Sequence, residues 1–195
     1  PEDDYAAKVE NTYGKTECWY ILDAKPDATL VCGLNKDYTR EELSAAIENN
    51  TLDNCLKYVP VEKGDFVFIP AGTVHAIQGG LRILEIQQPS DITYRLYDWG
   101  RPREIHIEKG LDVTKAFAPE PEKPFSKDFS CNYFSLLQQD IKSSGEKISL
   151  VPENKSSPAY QTGFVSLFVL SGSGKLFSKT ENKEIDIKPE DTIIV

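Results

Sequence analysis

Histidine chemistry has few candidates in this chain of 195 residues, because the chain contains two histidines. His75 follows an apolar run and the turn residues Pro70 and Gly72, which places it at the start of a new strand. An imidazole there can ligate a metal, although a lone histidine on a strand is more often structural. His106 alternates with isoleucines on either side and is therefore predicted on the outward, polar face of a strand.

A carboxylate and an amine stand two positions apart just before an apolar run. Alternation along a strand puts Lys15, Glu17 and Trp19 on the same side of the sheet. Two interpretations are open for this trio. It is an exposed ion pair beside an aromatic ring, or it is a polar cluster that lines a pocket, with Glu17 ligating a metal. Spacing alone favours the exposed ion pair.

The polar stretch over residues 85–95 adds an arginine that suits an anion. The guanidinium of Arg95 donates two parallel hydrogen bonds, which fits an oxyanion or a phosphate. It equally suits an ion pair with Asp91 or Asp98 at the surface. The spacing leaves both interpretations open.

The composition excludes several classes of function. The chain has 22 Lys and Arg against 31 Asp and Glu, and this net charge of −9 argues against nucleic-acid binding. No apolar run approaches the roughly 20 residues of a membrane span, and residues 2–4 are acidic, unlike the start of a signal peptide. The four cysteines form no C-x-x-C pair. We therefore expect a cytoplasmic protein with buried, reduced thiols and no thiolate zinc site.

The elements that must position these side chains are mostly short strands. Alternating or continuously apolar runs predict strands at 19–22, 66–69, 81–87, 132–138, 164–170 and 185–187. Helices are predicted at 1–11 and 38–50, the second beginning with a capping box between Thr39 and Glu42. Many short strands separated by glycine and proline turns favour a sandwich or a barrel.

A proline-rich stretch at 117–124 is predicted to link two domains, 1–116 and 125–195. The chain begins at Pro1, contains no methionine and ends inside an apolar run. We therefore expect the first domain to be incomplete at its N-terminus and the second at its C-terminus.

The two predicted domains resemble each other. Residues 15–22 align with 163–170, and residues 61–69 align with 187–195, which indicates a duplicated β-barrel. The second copy has Val165 where the first has Glu17, and it ends before any counterpart of the first histidine. We therefore expect the candidate chemistry in the first copy.

Four ordered motifs together resemble the short bacterial form of the type I mannose-6-phosphate isomerase family. They are residues 14–20 (GKTECWY), 70–76 (PAGTVHA), 85–91 (EIQQPSD) and 94–98 (YRLYD). The likeness runs in order along residues 1–115 and continues more weakly to the end of the chain. It implies a mainly β structure, a cupin (jelly-roll) barrel with a second, truncated barrel half and a few short helices.

The resemblance implies a zinc-dependent isomerase that interconverts mannose 6-phosphate and fructose 6-phosphate through an enediol intermediate. By motif, Glu17 and His75 correspond to zinc ligands and Arg95 to an active-site arginine. Lys15 corresponds to a residue of the substrate pocket, and Asp91 is a candidate for the proton-transfer base. The expected cofactor is one Zn²⁺ per chain, and the expected partner is a phosphorylated hexose.

The sequence departs from the family at its beginning. The family has a further histidine ligand, preceded by a glutamine, just before the acidic helix, and this chain opens at Pro1. Further ligands are therefore expected upstream of Pro1, since two ligands rarely hold zinc firmly. The alternative is a non-catalytic cupin that binds sugar phosphate, or a disabled fragment of the isomerase. An iron dioxygenase is disfavoured, because it needs a second barrel histidine and His106 is predicted to face outwards.

Overall fold

The computed structural model describes residues 1–142, 146, 164–178 and 180–194. The chain forms two compact units, Pro1–Asp128 and Phe129–Val195, called here the first and the second unit. The helices of the first unit are α1 (Asp3–Glu10), α2 (Arg40–Glu48) and α3 (Ile107–Val113), with one 3-10 turn at Leu52–Cys55. Its strands are β1 (Glu17–Ala24), β2 (Thr29–Leu34), β3 (Leu56–Pro60), β4 (Phe66–Ile69), β5 (His75–Ile77) and β6 (Leu81–Gln87).

Two antiparallel three-stranded sheets build the first unit. Their strand orders are β4-β1-β6 and β3-β2-β5. Apolar side chains from both sheets pack into one core, which includes Trp19 and Ile21 of β1, Leu30 and Cys32 of β2, and Val67 of β4. This is the packing of two sheets face to face. The prediction of a mainly β structure with a few short helices is confirmed.

A second core lies on the other side of β2. Val31 and Leu34 of that strand pack with Leu43 and Ile47 of α2 and with Leu111 of α3. Because β2 is buried on both faces, its residues do not alternate between apolar and polar. Residues 29–34 are not among the predicted strands, although a continuous apolar run is typical of a strand buried on both faces.

The predicted helices at 1–11 and 38–50 are present as α1 and α2. The capping box of α2 is confirmed: the backbone N–H of Glu42 donates to Thr39 Oγ1 at 3.2 Å. The Glu42 carboxylate accepts in return from the backbone N–H of Thr39 at 2.7 Å. These bonds satisfy N–H groups that the first turn of a helix leaves unpaired.

The prediction that His106 lies on an outward strand is wrong. His106 precedes α3 and is half-buried, and its Nδ1 accepts a hydrogen bond from the backbone N–H of Arg95 at 3.2 Å. The isoleucines around it gave an alternating pattern. However, Ile107 and Leu111 stand four residues apart and pack together in the second core, which is helical spacing.

The proline-rich stretch at 117–124 packs on the first unit. Ala118 is buried in the core between the sheets, and the backbone of Glu122 pairs with that of Phe66. Phe125 stacks on Phe66 with ring centroids 4.7 Å apart. The first unit ends at Asp128, four residues beyond the predicted linker. The assignment of 1–116 and 125–195 to separate cupin barrels stays a prediction.

The remaining strands are short and pair two by two. They are β7 (Asp128–Ser130) with β8 (Ser135–Leu137), β9 (Ser166–Phe168) with β12 (Thr192–Ile194), and β10 (Gly174–Ser178) with β11 (Lys183–Ile187). The predicted strands at 132–138, 164–170 and 185–187 correspond to β8, β9 and β11. Among the described residues, no helix is long and apolar enough to cross a membrane.

The sequence repeat has a structural counterpart in strand register. In β1 and β4 the paired residues are Cys18 with Phe68, Trp19 with Val67, and Tyr20 with Phe66. In β9 and β12 they are Ser166 with Ile194, Leu167 with Ile193, and Phe168 with Thr192. These are the positions that the sequence alignment equates, so both copies pair the same two strands in the same register.

The turn before the second strand of each pair is also repeated. The Asp65 carboxylate accepts from the backbone N–H of Glu62 at 2.9 Å, and the Asp191 carboxylate accepts from that of Lys188 at 2.9 Å. In both turns the backbone N–H of the same aspartate donates in return to the carbonyl oxygen of that residue, at 3.1 Å. The repeat of both turn and register supports the duplication that the sequence indicates.

Candidate active site

Glu17 and His75 meet although they belong to different sheets. Glu17 begins β1 and His75 begins β5, and Glu17 Oε1 lies 2.9 Å from His75 Nε2. The Glu17 side chain is 1% exposed and the His75 side chain is 32% exposed. A buried carboxylate therefore faces a partly accessible imidazole, which is an arrangement that suits a metal or a proton transfer.

The backbone orients the imidazole of His75. Its Nδ1 donates a hydrogen bond to the carbonyl oxygen of Thr73 at 2.9 Å, and the Trp19 ring packs edge-on against it at 5.4 Å between centroids. Since Nδ1 donates to this carbonyl oxygen, Nε2 is the ring nitrogen that faces Glu17. Histidines that ligate metals are commonly held in this way, by a carbonyl on the other nitrogen.

Lys15 and Glu85 complete a charged cluster around Glu17. Lys15 Nζ lies 3.0 Å from Glu17 Oε2 and 3.8 Å from Glu85 Oε1, and Glu85 stands on β6 opposite Trp19 of β1. Lys15, Glu17 and Trp19 share one side of the sheet, as alternation predicts. The interpretation as an exposed ion pair is wrong, because Glu17 is buried.

The charges of the cluster shift both carboxyl groups. Burial opposes ionisation of Glu17, but the hydrogen bond and charge of His75, together with the Lys15 ammonium, lower the pKa of Glu17 to about 2. Burial and the neighbouring Glu17 carboxylate raise the pKa of Glu85 above its ordinary value. One carboxylate is thus held ionised, and the other takes up a proton more readily than a free glutamate.

Part of a zinc site fits the residues present. Glu17 Oε2 is buried without a well-directed hydrogen bond among the described residues, although Lys15 is near. The 2.9 Å between Glu17 Oε1 and His75 Nε2 compares with about 3.3 Å between two ligand atoms on a tetrahedral zinc. Within the part of the chain that the structure describes, no third His, Cys, Asp or Glu joins them. The pair therefore fits two positions of a ligand set.

A cavity of about 320 Å³ lies beside this pair. Lys15, Thr73 and His75 line one part of it, and residues 92–99 line another. Cavities of this size are typical of sites for small molecules. Pro1 is also in the cavity wall, and its carbonyl oxygen accepts a hydrogen bond from the backbone N–H of Lys15 at 3.0 Å.

Three arginines form a positive wall of the cavity around one buried carboxylate. Arg95, Arg101 and Arg103 line the cavity together with Asp98, whose side chain is 2% exposed. Arg95 lines the cavity and its Nε lies 3.9 Å from Asp98 Oδ1, so the ion pair with Asp98 is present, and its role as an anion partner stays a prediction. The sequence analysis did not select Arg101 and Arg103 as site residues, although the pattern R-x-R is typical of an anion-binding site.

Asp91 is the one predicted site residue that the structure leaves apart from the others. It is exposed and does not line the cavity. Glu85, which sequence reasoning did not single out, lies instead within the charged cluster of Lys15 and Glu17. Its place opposite Trp19 follows from the register of β6 on β1, which local sequence patterns do not contain.

The chain was compared with known proteins, and no protein-family model matches it. It is 37% identical over 195 residues to the mannose-6-phosphate isomerase ManA of Bacillus subtilis, which covers 91% of this chain and 58% of that protein. The crystal structure of the mannose 6-phosphate isomerase from Bacillus subtilis superposes with a TM-score of 0.77 at 28% identity, covering 100% of this chain and 63% of that one.

A mannose 6-phosphate isomerase solved with zinc and yttrium bound shares the fold, with a TM-score of 0.53 at 14% identity. That match covers 99% of this chain and 68% of that one. The chain spans 58% of the length of the curated relative described above. From the ordered motifs, the shared cupin-type β structure and the similarity over nearly its whole length, the chain belongs to the mannose-6-phosphate isomerase family.

Proposed function

We propose that this chain is the catalytic part of a zinc-dependent isomerase that interconverts mannose 6-phosphate and fructose 6-phosphate. The observation that carries the proposal is one cavity lined by His75, which is paired with the buried Glu17, by Lys15 and by Arg95. Because the chain spans 58% of its curated relative, the activity and the substrate of a whole protein are part of the proposal. We place the protein in the cytoplasm, where phosphorylated hexoses are its partners.

Glu17 and His75 would hold the zinc in this proposal. Pro1 lines the same cavity, so residues preceding it in a longer chain would enter next to this pair and supply the further ligands. When bound, the metal supplies a Lewis acid that polarises the oxygens of the sugar. Thr73 fixes the imidazole through its carbonyl, which keeps Nε2 of His75 directed at Glu17.

The substrate would be oriented by charge. A phosphate group suits the guanidinium forks of the arginine wall, and this wall is a local positive region in a chain of net charge −9. With the phosphate bound at the arginine wall, carbons 1 and 2 of the sugar, at the end away from the phosphate, would face Lys15 and His75. The hexose would thus span the cavity between its cationic wall and its metal-holding residues.

Isomerisation moves a proton between C2 and C1 through an enediol intermediate and needs a base beside those carbons. Glu85 is our candidate for this role, because its carboxylate lies 3.8 Å from the Nζ of Lys15, which lines the cavity, although Glu85 itself does not line it. Burial and the Glu17 carboxylate raise the pKa of Glu85, which favours proton uptake. Lys15 lies between Glu85 and Glu17 and would stabilise negative charge that develops on the sugar oxygens. Asp91, the base that the sequence suggests, is exposed and is tested beside Glu85.

A non-catalytic cupin that binds sugar phosphate is the second candidate. The number of metal ligands favours it: the described residues provide two, whereas a catalytic zinc usually has three protein ligands. It predicts saturable binding of mannose 6-phosphate without turnover and without bound metal.

The test measures bound zinc by mass spectrometry and mannose 6-phosphate conversion on one preparation, before and after chelation. We expect zinc and chelator-sensitive conversion, and Glu17→Gln should lose most of both. Glu85→Gln should keep its zinc and lose about 10²-fold or more in rate, as for removal of a general base. Asp91→Asn, the matched carboxylate-to-amide control, should stay near the original rate.

Three outcomes would contradict parts of this proposal. A folded chain that binds the sugar phosphate without zinc or turnover supports the non-catalytic candidate. If Asp91→Asn is inactive with its zinc in place while Glu85→Gln remains active, the base is Asp91. If Glu17→Gln retains its zinc, the metal is held elsewhere.

A further inference from the structure

Asp98 uses both of its carboxylate oxygens to hold arginines at the cavity wall. Arg103 binds it in a bidentate manner, with Nε donating to Oδ2 at 2.6 Å and Nη2 donating to Oδ1. Arg101 Nη2 lies 2.8 Å from the same Oδ1. The hydrogen bonds from Arg103 hold the pKa of Asp98 below its ordinary value, so the carboxylate is ionised at neutral pH.

Arg95 is the third cation of this group. Its Nε lies 3.9 Å from Asp98 Oδ1, and its Nη1 donates to the carbonyl oxygen of Glu104 at 3.0 Å. Three guanidiniums against one carboxylate leave a local charge of about +2. Like charges this close repel one another, so the arrangement depends on the carboxylate at its centre.

The backbone around Asp98 fixes the same geometry. The carbonyl oxygen of Asp98 accepts from the backbone N–H of Arg101 at 3.0 Å and from its side-chain Nε at 3.2 Å. The Trp99 indole N–H donates to Asp53 at 3.0 Å, which fastens the loop to the 3-10 turn. The arginines thus belong to a loop whose bend is closed by Arg101 and fastened to the 3-10 turn at Trp99.

The arginine group retains donors for a ligand. The hydrogen bonds and ion pairs described for these arginines use other nitrogens than Arg95 Nη2, Arg101 Nη1 and Arg103 Nη1. The side chains are 23%, 58% and 49% exposed, in that order, so these donors are accessible from solvent. An anion with several oxygens can accept from more than one guanidinium at once.

We propose that Asp98 is a positioning residue that holds Arg95, Arg101 and Arg103 together as a binding site for the phosphate group of the substrate. Asp98 thereby determines the selectivity of the cavity for phosphorylated over unphosphorylated sugar. The inference rests on the proposed function in taking a sugar phosphate as the ligand. It adds a role for a carboxylate that itself repels the ligand and acts only through the arginines.

The test is the variant Asp98→Asn, with mannose 6-phosphate, inorganic phosphate and mannose titrated by calorimetry. If Asp98 acts by position, the arginines separate in the variant and the two phosphates bind about tenfold more weakly, with mannose unchanged. If only net charge matters, removing the negative charge makes both phosphates bind more tightly. The direction of the change therefore separates positioning from simple electrostatics.

Two further variants make the result decisive. Glu104→Gln removes an exposed carboxylate of the same loop that touches no guanidinium, and it should bind phosphate as the original chain does. Asp98→Glu keeps the charge and should restore part of the affinity. If Asp98→Asn fails to fold by circular dichroism, Asp98→Glu alone is decisive: positioning predicts weaker binding of both phosphates than in the original chain, and net charge predicts no change.

Unchanged or tighter phosphate binding in Asp98→Asn overturns the inference, as does an original chain that binds mannose and mannose 6-phosphate equally. These outcomes differ from a failure of the proposed function. Suppose that the original chain prefers the phosphorylated sugar, that Asp98→Asn loses this preference, and that neither chain isomerises the sugar with zinc. The phosphate-binding site is then supported and the isomerase proposal fails.

Discussion

Burial and neighbouring charge determine the behaviour of the individual residues at the site. Glu17 is as buried as the core side chains, yet it is ionised because His75 and Lys15 lie within 3.0 Å of its two oxygens. The sequence shows a glutamate between a lysine and a tryptophan, and a surface pair has the same appearance. Only the burial of the carboxylate distinguishes the two, and burial is a property of the packed sheets.

The lowered pKa of Glu17 predicts a pH dependence of stability. A carboxyl group with a pKa of about 2 when folded and about 4.5 when unfolded stabilises the fold fully above the unfolded value. This contribution, about 3 kcal/mol at most, is lost as the pH falls from about 4.5 towards about 2. Denaturant unfolding at a series of pH values, for the original chain and Glu17→Gln, measures it.

The difference in free energy of unfolding between the two chains should be largest above pH 4.5 or so and should shrink in more acidic solution. Asp91→Asn, which removes an exposed carboxylate, serves as the control and should run parallel to the original chain. A Glu17→Gln difference that is constant with pH would contradict the assigned ionisation.

Among the secondary-structure elements, turns and strand ends position the residues of the site. His75 reaches Glu17 because the turn between β4 and β5 reverses the chain, with the backbone N–H of Thr73 donating to the carbonyl oxygen of Pro70 at 3.1 Å. Gly72 adopts a φ of +92° in this turn, and a Cβ there would lie 2.5 Å from the carbonyl oxygen of Val113. The turn thus needs glycine for both its conformation and its contact with the end of α3.

Gly72→Ala should be more destabilising than the same change at Gly64. Gly64 has a φ of +96°, but a Cβ added there would have no atom within 4 Å, so alanine adds only conformational strain of about 1 kcal/mol. At position 72 the clash with a backbone oxygen comes on top of that strain. Thermal and denaturant unfolding of both variants measure the difference, and equal losses would show that the contact with Val113 yields at little cost.

At the scale of the whole molecule, the first unit contains every described residue of the candidate site. The Glu17–His75 pair, the cavity and the arginine wall all lie before the end of this unit at Asp128. The second unit repeats the register of β1 and β4 in β9 and β12, but Val165 occupies the position that corresponds to Glu17. The repeat keeps the strand pairing without the carboxylate.

A chain ending at Asp128 should therefore fold and keep the site. Its two sheets share a core that includes Ala118, and Phe125 packs on Phe66, so both elements are retained in the shorter chain. We expect a cooperative unfolding transition and an affinity for mannose 6-phosphate within about twofold of the 195-residue chain. Loss of either property would show that the second unit supports the first.

Local patterns in the sequence were enough for much of this description. The strands β4 and β6, the capping box of α2 and the common side of Lys15, Glu17 and Trp19 are all present as predicted. Each depends on residues a few positions apart, so periodicity and turn chemistry determine it. The ordered motifs indicated the family for the same reason, since they are local strings of residues.

The tertiary structure alone decided which distant side chains meet. The contact of Glu17 with His75 and the place of Glu85 beside Lys15 join residues that are far apart in the chain. It also placed His106 before a helix, where alternation had indicated a strand. Such contacts depend on strand register and on the burial of whole faces, which local patterns leave open because many registers satisfy the same alternation.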